Sequence, residues 1–140
     1  MGYGRLVMIT ALLDTHAVIW LLHGDKRLSE SALAVVNQAA RQRKQVALSS
    51  MSLVEIAYLE EKQRVPAGTL QGVLKLLAAP SAMLAEIPVS QKIITALLQI
   101  SRMEIPDMPD RVIAATALAA KVPLVSRDRK IQASQVQTVW

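Results

Sequence analysis

From Val7 to Leu13 the chain runs apolar, broken only by Thr10, and it stops at Asp14. A short continuous run of this kind suits a strand buried on both faces, and such strands belong to parallel sheets covered by helices. Similar runs return at Val46–Ser49 and Pro123–Ser126, a weaker one at Met83–Val89, and Val136–Val139 reads as a last edge strand. Between them the periodicity is helical. Thr15–Leu22 closes at Gly24. Leu28–Lys44 has Ser29 as its N-cap and Leu33, Val36 and Ala40 on one face. Ser52–Gln63 follows, then Thr69–Leu77, ended by Pro80. Ser90 caps a helix whose Ile93, Ile94, Leu97 and Leu98 form one stripe. Beyond a loop holding Pro106 and Pro109, Asp110 opens a helix that is apolar on nearly every side from Val112 to Ala120, so it should pack between layers. Strands alternating with helices predict an α/β fold: a central parallel sheet of four to five strands with helices on both faces. No linker or repeat interrupts residues 1–140, which read as one domain.

The stretch Leu6–Leu22 raises the question of a membrane span, but Asp14 stands in its middle. A central Asp costs about 2.5–3.5 kcal/mol on insertion. A leader built on Arg5 and Leu6–Leu13 is disfavoured because the run leads into an acid and an amphipathic pattern, with no small-residue cleavage site. The chain has no cysteine, which excludes a disulfide framework, a thiolate zinc site and a cysteine nucleophile, and fits a cytoplasmic protein. Sixteen Lys and Arg against eleven Asp and Glu give a formal charge of +5, an excess that draws anionic partners such as nucleic acid and is also common among ordinary basic proteins.

In an open α/β sheet, ligands bind beyond the carboxyl ends of the strands, where strand order reverses. The acids fall at such positions. Asp14 ends the first strand, Asp128 lies just past Ser126, Glu55 is placed in the first turn of the helix after the second strand, and Asp110 starts a helix. If the first strand neighbours the strand of Leu124 and Val125, four carboxylates converge on one rim. Close like charges oppose one another's ionisation unless a cation neutralises them. Oxygen ligands suit Mg²⁺ or Mn²⁺, whereas zinc would recruit His or Cys. Each acid also has a local explanation. Asp14 can cap the following helix, Ser52-Leu53-Val54-Glu55 matches a capping box, Asp110 or Asp107 can be an N-cap, and Asp128 can be a turn residue.

Leu12-Leu13-Asp14-Thr15-His16 through Trp20-Leu21-Leu22 resembles the opening motif of PIN domains in VapC toxins. Ser52-Leu53-Val54-Glu55-Ile56 resembles the second motif, Pro109-Asp110-Arg111-Val112-Ile113-Ala114-Ala115-Thr116-Ala117 the third, and Leu124-Val125-Ser126-Arg127-Asp128 the fourth. The resemblance spans essentially the whole chain; Met108 departs from it where an aromatic is frequent. It implies a PIN-like fold, Mg²⁺ or Mn²⁺ held by Asp14 and Asp110 with Glu55 as acidic partner and Asp128 as a fourth acid, and Asp107 in reserve. It also implies an endoribonuclease toxin of a type II toxin–antitoxin system, with a VapB-type antitoxin as partner and self-association as a homodimer. The expected reaction is hydrolysis of RNA by a metal-activated water; Thr15 and Ser126 are placed to orient ligands or to act only as capping groups, and Arg111, Arg127 and Arg129 to meet phosphates or to stand as solvated surface charge.

Rival readings are a two-histidine nuclease, a receiver-like signalling domain and a PIN-fold binding module that has lost catalysis. His16 and His23, seven residues apart on a helix, stand about 10 Å apart along its axis, too far to grip one phosphate. A receiver would want paired acids after the first strand and a Lys after a late one, where this chain has a lone Asp14 and Arg127. Trp20, Leu21 and Leu22 read as core, or as part of a partner groove.

Overall fold

The computed structural model describes Met8–Trp140, so the expected start of the first strand at Val7, and the Arg5–Leu6 segment, lie outside the described residues. The apolar run forms β1 (Ile9–Leu13), in which Ala11, Leu12 and Leu13 are free of solvent. The chain continues through α1 (Thr15–His23), α2 (Glu30–Arg41), β2 (Gln45–Ser49), α3 (Ser50–Glu61), α4 (Thr69–Ala78), β3 (Leu84–Ile87), α5 (Gln91–Leu97), α6 (Met108–Ala120), β4 (Leu124–Val125), α7 (Arg129–Gln132) and β5 (Thr138–Val139). All strand pairs are parallel, in the order β3-β2-β1-β4-β5. The chain builds outward from β1 to β3 and then returns to lay β4 on the other side of β1, with Leu12 opposite Leu124 and Leu13 opposite Val125. Order therefore reverses between β1 and β4, and a crevice opens beyond their carboxyl ends.

Alternate strand residues face opposite layers, as the pleat demands. Ala11, Leu13, Val46, Leu48 and Val125 pack with α1–α4, whereas Leu12, Ala47 and Leu124 pack with α5–α7. Each fully buried Leu contributes about 1.5–3 kcal/mol, so neighbouring leucines anchor opposite layers. The expected packing of α6 holds: Val112–Ala117 are all buried.

Two helical faces differ from expectation. Ser29 caps α2 as predicted, its Oγ accepting from the Ala32 amide at 3.1 Å, but the buried face is Ala32, Val36 and Ala39. Leu33 is 41% exposed, because the small alanines lie on the side that meets the sheet. In α5 the buried positions are Ile93 and Ala96, with Ile100 beyond the helix end, leaving Ile94 and Leu98 exposed. Ser90 occupies the N-cap position there without a side-chain capping bond.

Helix starts differ too. Ser49 caps α3, its Oγ accepting from Met51 N at 3.0 Å. Ser52 is therefore a buried residue inside the helix rather than the start of a capping box, and Glu55 falls in the second turn. Asp107 caps α6, with Oδ2 accepting from Asp110 N at 3.2 Å, which places Asp110 third in the helix. The short α7 was not expected; it forms because Asp128 caps it, Oδ1 accepting from Ile131 N at 3.0 Å, and because Ile131 buries against α6. No helix among the described residues is long and apolar enough to cross a membrane.

Candidate active site

Asp14 sits where β1 turns into α1. Its amide donates to Val125 O at 3.1 Å, tying the strand end to β4, and its Oδ1 accepts from Ala17 N at 2.9 Å. Strand terminus and helix cap are thus one residue, and the cap engages only one carboxylate oxygen. Burial raises its pKa, opposed by hydrogen bonds from Ser126 and the Ala17 amide and by the charge of His16, and reinforced by Asp128.

Glu55 projects from α3 towards α1, where Thr15 Oγ1 donates to Oε1 at 2.5 Å. Thr15 Oγ1 also lies 3.0 Å from Ser52 Oγ. A hydroxyl carries a single proton, so with Thr15 donating to Glu55, Ser52 donates to Thr15. This chain of two buried hydroxyls holds the carboxylate in place. Burial again raises the Glu55 pKa; the Thr15 bond lowers it, Asp107 raises it, His16 lowers it, and Asp14 raises it.

Asp110 is released from capping because Asp107 does that work. Its pKa is pushed up to about 7, first by burial and then by the negative charges of Asp107, Asp128, Glu55 and Asp14. Asp128 is fixed from both sides: its amide donates to Ser126 Oγ at 3.1 Å and its carboxylate caps α7.

These acids meet in one cleft of about 440 Å³, lined by Asp14, Glu55, Asp107, Asp110 and Asp128 together with His16, Trp20 and Arg127. The four acids singled out in the sequence are brought together, and the reserve, Asp107, joins them. Among the described residues no three carboxylate or imidazole side chains stand close enough to enclose a cation in their present rotamers. The donor set itself fits a hard divalent cation: every acidic ligand is an oxygen, and the mutual repulsion that lifts Asp110 is what such a cation relieves.

The basic residues divide. Arg111 is not brought into the cleft; its Nε donates to Ile100 O at 2.8 Å and a terminal nitrogen to Leu97 O at 3.1 Å. Its guanidinium satisfies carbonyls left over where α5 ends instead of lining the acidic cleft. Arg127 is exposed and lies over the Trp20 ring, 4.7 Å from its centroid. Arg129 and Lys130 line a neighbouring cleft of about 390 Å³ that shares Asp107, Asp110 and Asp128 with the first.

His16 is exposed at the cleft, its ring 5.6 Å from that of Trp20, while His23 turns away to meet Thr69 Oγ1 at 3.0 Å. The two histidines do not share a site. Trp20, 4% exposed, belongs to the core as expected and also forms a wall of the cleft. Its place four residues after His16, on the same helical face, was the available signal for that second role.

A family model described as PIN domain matches residues 11–135. Ribonuclease VapC22 of Mycobacterium tuberculosis is 27% identical over 136 residues, covering 95% of this chain and all of that protein. Among solved structures, VapBC2 from Rickettsia felis bound to a DNA fragment from their promoter aligns with a TM-score of 0.69 at 19% identity, over 93% of this chain and 97% of that one. A toxin–antitoxin complex from Klebsiella pneumoniae aligns at 0.61 and 25% identity, over 94% and 97%. FitAcB from Neisseria gonorrhoeae aligns at 0.59 and 18%, over 92% and 96%. The parallel sheet, the acids at its point of reversal and the family match over most of the chain agree: this protein belongs to the PIN-domain family.

Proposed function

We propose that residues 1–140 form one PIN domain acting as a Mg²⁺- or Mn²⁺-dependent endoribonuclease, the toxin of a type II toxin–antitoxin pair. The observation that carries this reading is the gathering of five carboxylates from four separate segments into one cleft at the sheet's reversal point. Among the described residues none of the five forms an ion pair, although Arg127 lines the same cleft. The identity of the relative as a ribonuclease supports the choice of reaction.

Asp14, Glu55, Asp110 and Asp128 would hold the cation. A divalent ion bound there supplies Lewis acidity for hydrolysis by water and offsets charge at the phosphodiester. The chain's own groups prepare the site. The Ala17 amide fixes one oxygen of Asp14, the Ser52–Thr15 pair aims Glu55, and Ser126 positions Asp128. Arg127 and Arg129 flank the acids, and their positive charge favours an RNA strand at the cleft.

Neighbouring folds seen in toxin–antitoxin complexes support a VapB-type partner. Val54 and Tyr58, 62% and 58% exposed, border a cleft with Leu70 that offers apolar surface to such a partner or to a second copy in a homodimer. The receiver-like alternative is set aside by the family match.

The test is cleavage of single-stranded or loop RNA. The expected products carry a 5′-phosphate and a 3′-hydroxyl, and EDTA or Asp14→Asn stops the reaction. Cleavage that persists in EDTA and leaves a 2′,3′-cyclic phosphate refutes the reading.

A further inference from the structure

Arg127 shares a cleft with five carboxylates, yet among the described residues it forms no ion pair with any of them. Coulomb attraction alone would turn an exposed guanidinium towards such a cluster. It lies instead over Trp20, 4.7 Å from the ring centroid. Trp20 is braced in turn. Arg27 lies over it at 5.1 Å, itself held by Asp25 at 2.7 Å, and Trp140 meets it edge-on at 5.8 Å. The indole is a fixed support, and Arg127 is the exposed layer on top, at the cleft wall beside Asp128.

The neighbouring cleft is built differently. It shares Asp107, Asp110 and Asp128 with the first but is walled by Pro106, Arg129 and Lys130, with no aromatic side chain. The volumes of about 440 and 390 Å³ each suit one small unit of a larger ligand. Three acids are therefore shared by one lobe with a cation resting on an aromatic ring and another with two cations that, among the described residues, form no ion pair. Nucleobases stack on guanidinium planes as well as on aromatic rings, and phosphates need only positive charge.

Resting on the ribonuclease reading above, we infer that a single RNA strand crosses the acids with its two sides held by different chemistry: Arg127, supported by Trp20, stacks the base of the nucleotide on one side of the scissile phosphate, and Arg129 with Lys130 holds only backbone phosphate on the other. Base preference then resides on one side of the cut, and the other side is read by charge alone. Paired RNA is excluded from the stacking lobe, because its bases are already stacked and paired within the helix.

The experiment is binding of short oligouridylate, and of an abasic ribose-phosphate oligomer of equal length, with Ca²⁺ replacing the catalytic cation. Variants are Arg127→Lys, which keeps the charge and removes the plane, and Arg129→Gln with Lys130→Gln. Trp140→Phe leaves Trp20 as the sole tryptophan, so its fluorescence reports on the stacking lobe. Wild type should bind the base-bearing oligomer roughly tenfold more tightly than the abasic one, with a change in Trp20 emission. Arg127→Lys should erase that difference while leaving abasic binding in place. The Arg129 and Lys130 variant should weaken both oligomers alike and flatten the salt dependence. Equal affinity of wild type for the two oligomers, or equal weakening of both by Arg127→Lys, overturns the inference and leaves Arg127 as a phosphate contact. Because binding is read without cleavage, failure here is separate from failure of the nuclease reading, which the product and EDTA tests decide.

Discussion

Replacing Asp110 by Asn should make the metal-free protein more stable at neutral and alkaline pH. The Asp110 carboxyl titrates at about 7 in the folded state against 3.8 for an ordinary Asp. Between those values the unfolded chain has released a proton that the folded chain retains. The favourable contribution is fully present below about pH 4 and is lost as pH rises through about 7, the reverse of a salt-bridged carboxylate. At about 1.4 kcal/mol per unit, the shift from 3.8 to about 7 corresponds to a penalty of about 4.5 kcal/mol above neutrality. Asp110 is partly exposed, and solvent screening reduces this to about 2 kcal/mol. For a chain of this length that is a rise in Tm of about 6–10 °C. The assay is thermal or urea unfolding of wild type and Asp110→Asn in EDTA, from about pH 4 to about pH 8. The two proteins should be nearly equal at the acid end, with the variant pulling ahead as pH rises. Saturating Mn²⁺ should then close the gap by stabilising wild type alone, by about 2.7 kcal/mol at a hundredfold excess over Kd. Parallel pH curves for the two proteins in EDTA, or equal stabilisation of both by Mn²⁺, would refute the account of the site as a repulsive cluster relieved by a cation.

Asp107→Asn should leave the fold intact, since Asn caps helices as well as Asp does, yet lower the Asp110 pKa by removing the largest charge acting on it; carboxyl NMR titration reads the shift. Thr15→Val deletes the donor to Glu55, so the Glu55 pKa should rise and the acidic limb of the pH–rate profile should move to higher pH, whereas an unmoved limb would make Thr15 a packing residue. Arg111→Ala should destabilise the protein by roughly 1–3 kcal/mol, because it strands the Ile100 and Leu97 carbonyls, and should leave the salt dependence of RNA binding unchanged; a flattened slope would return Arg111 to the RNA surface.

What the sequence disclosed and what it hid divide along physical lines. Parallel strands buried on both faces announce themselves as apolar runs, and an acid at their carboxyl ends marks the crevice, so Asp14 and Asp128 could be placed before any coordinates. Helix starts were harder, because serines and aspartates crowd each one. Ser49 and Ser52 both make acceptable caps, as do Asp107 and Asp110, and tertiary packing chose the earlier residue each time. Those choices put Glu55 in a second turn and freed the Asp110 side chain. Helical faces hid for another reason. In α2 the alanines win the contact with the sheet although Leu33 is more apolar, since close approach favours small residues. Arg111 reads as a phosphate contact beside a motif acid because nothing in the sequence reveals the carbonyls it satisfies.

The pairing of β1 with β4 carries a consequence for synthesis. Asp14 is made well before β4, and the crevice beside it exists only once Leu124 and Val125 have docked against Leu12 and Leu13. A ribosome-bound chain that has delivered Asp14, Glu55 and Asp110 still lacks the second wall, Asp128 and the Arg127 cover. Parallel pairing over so long a sequence separation forms late and slowly. The acidic cleft is therefore complete only after β4 and Asp128 have been made, and a chain stalled before them lacks it.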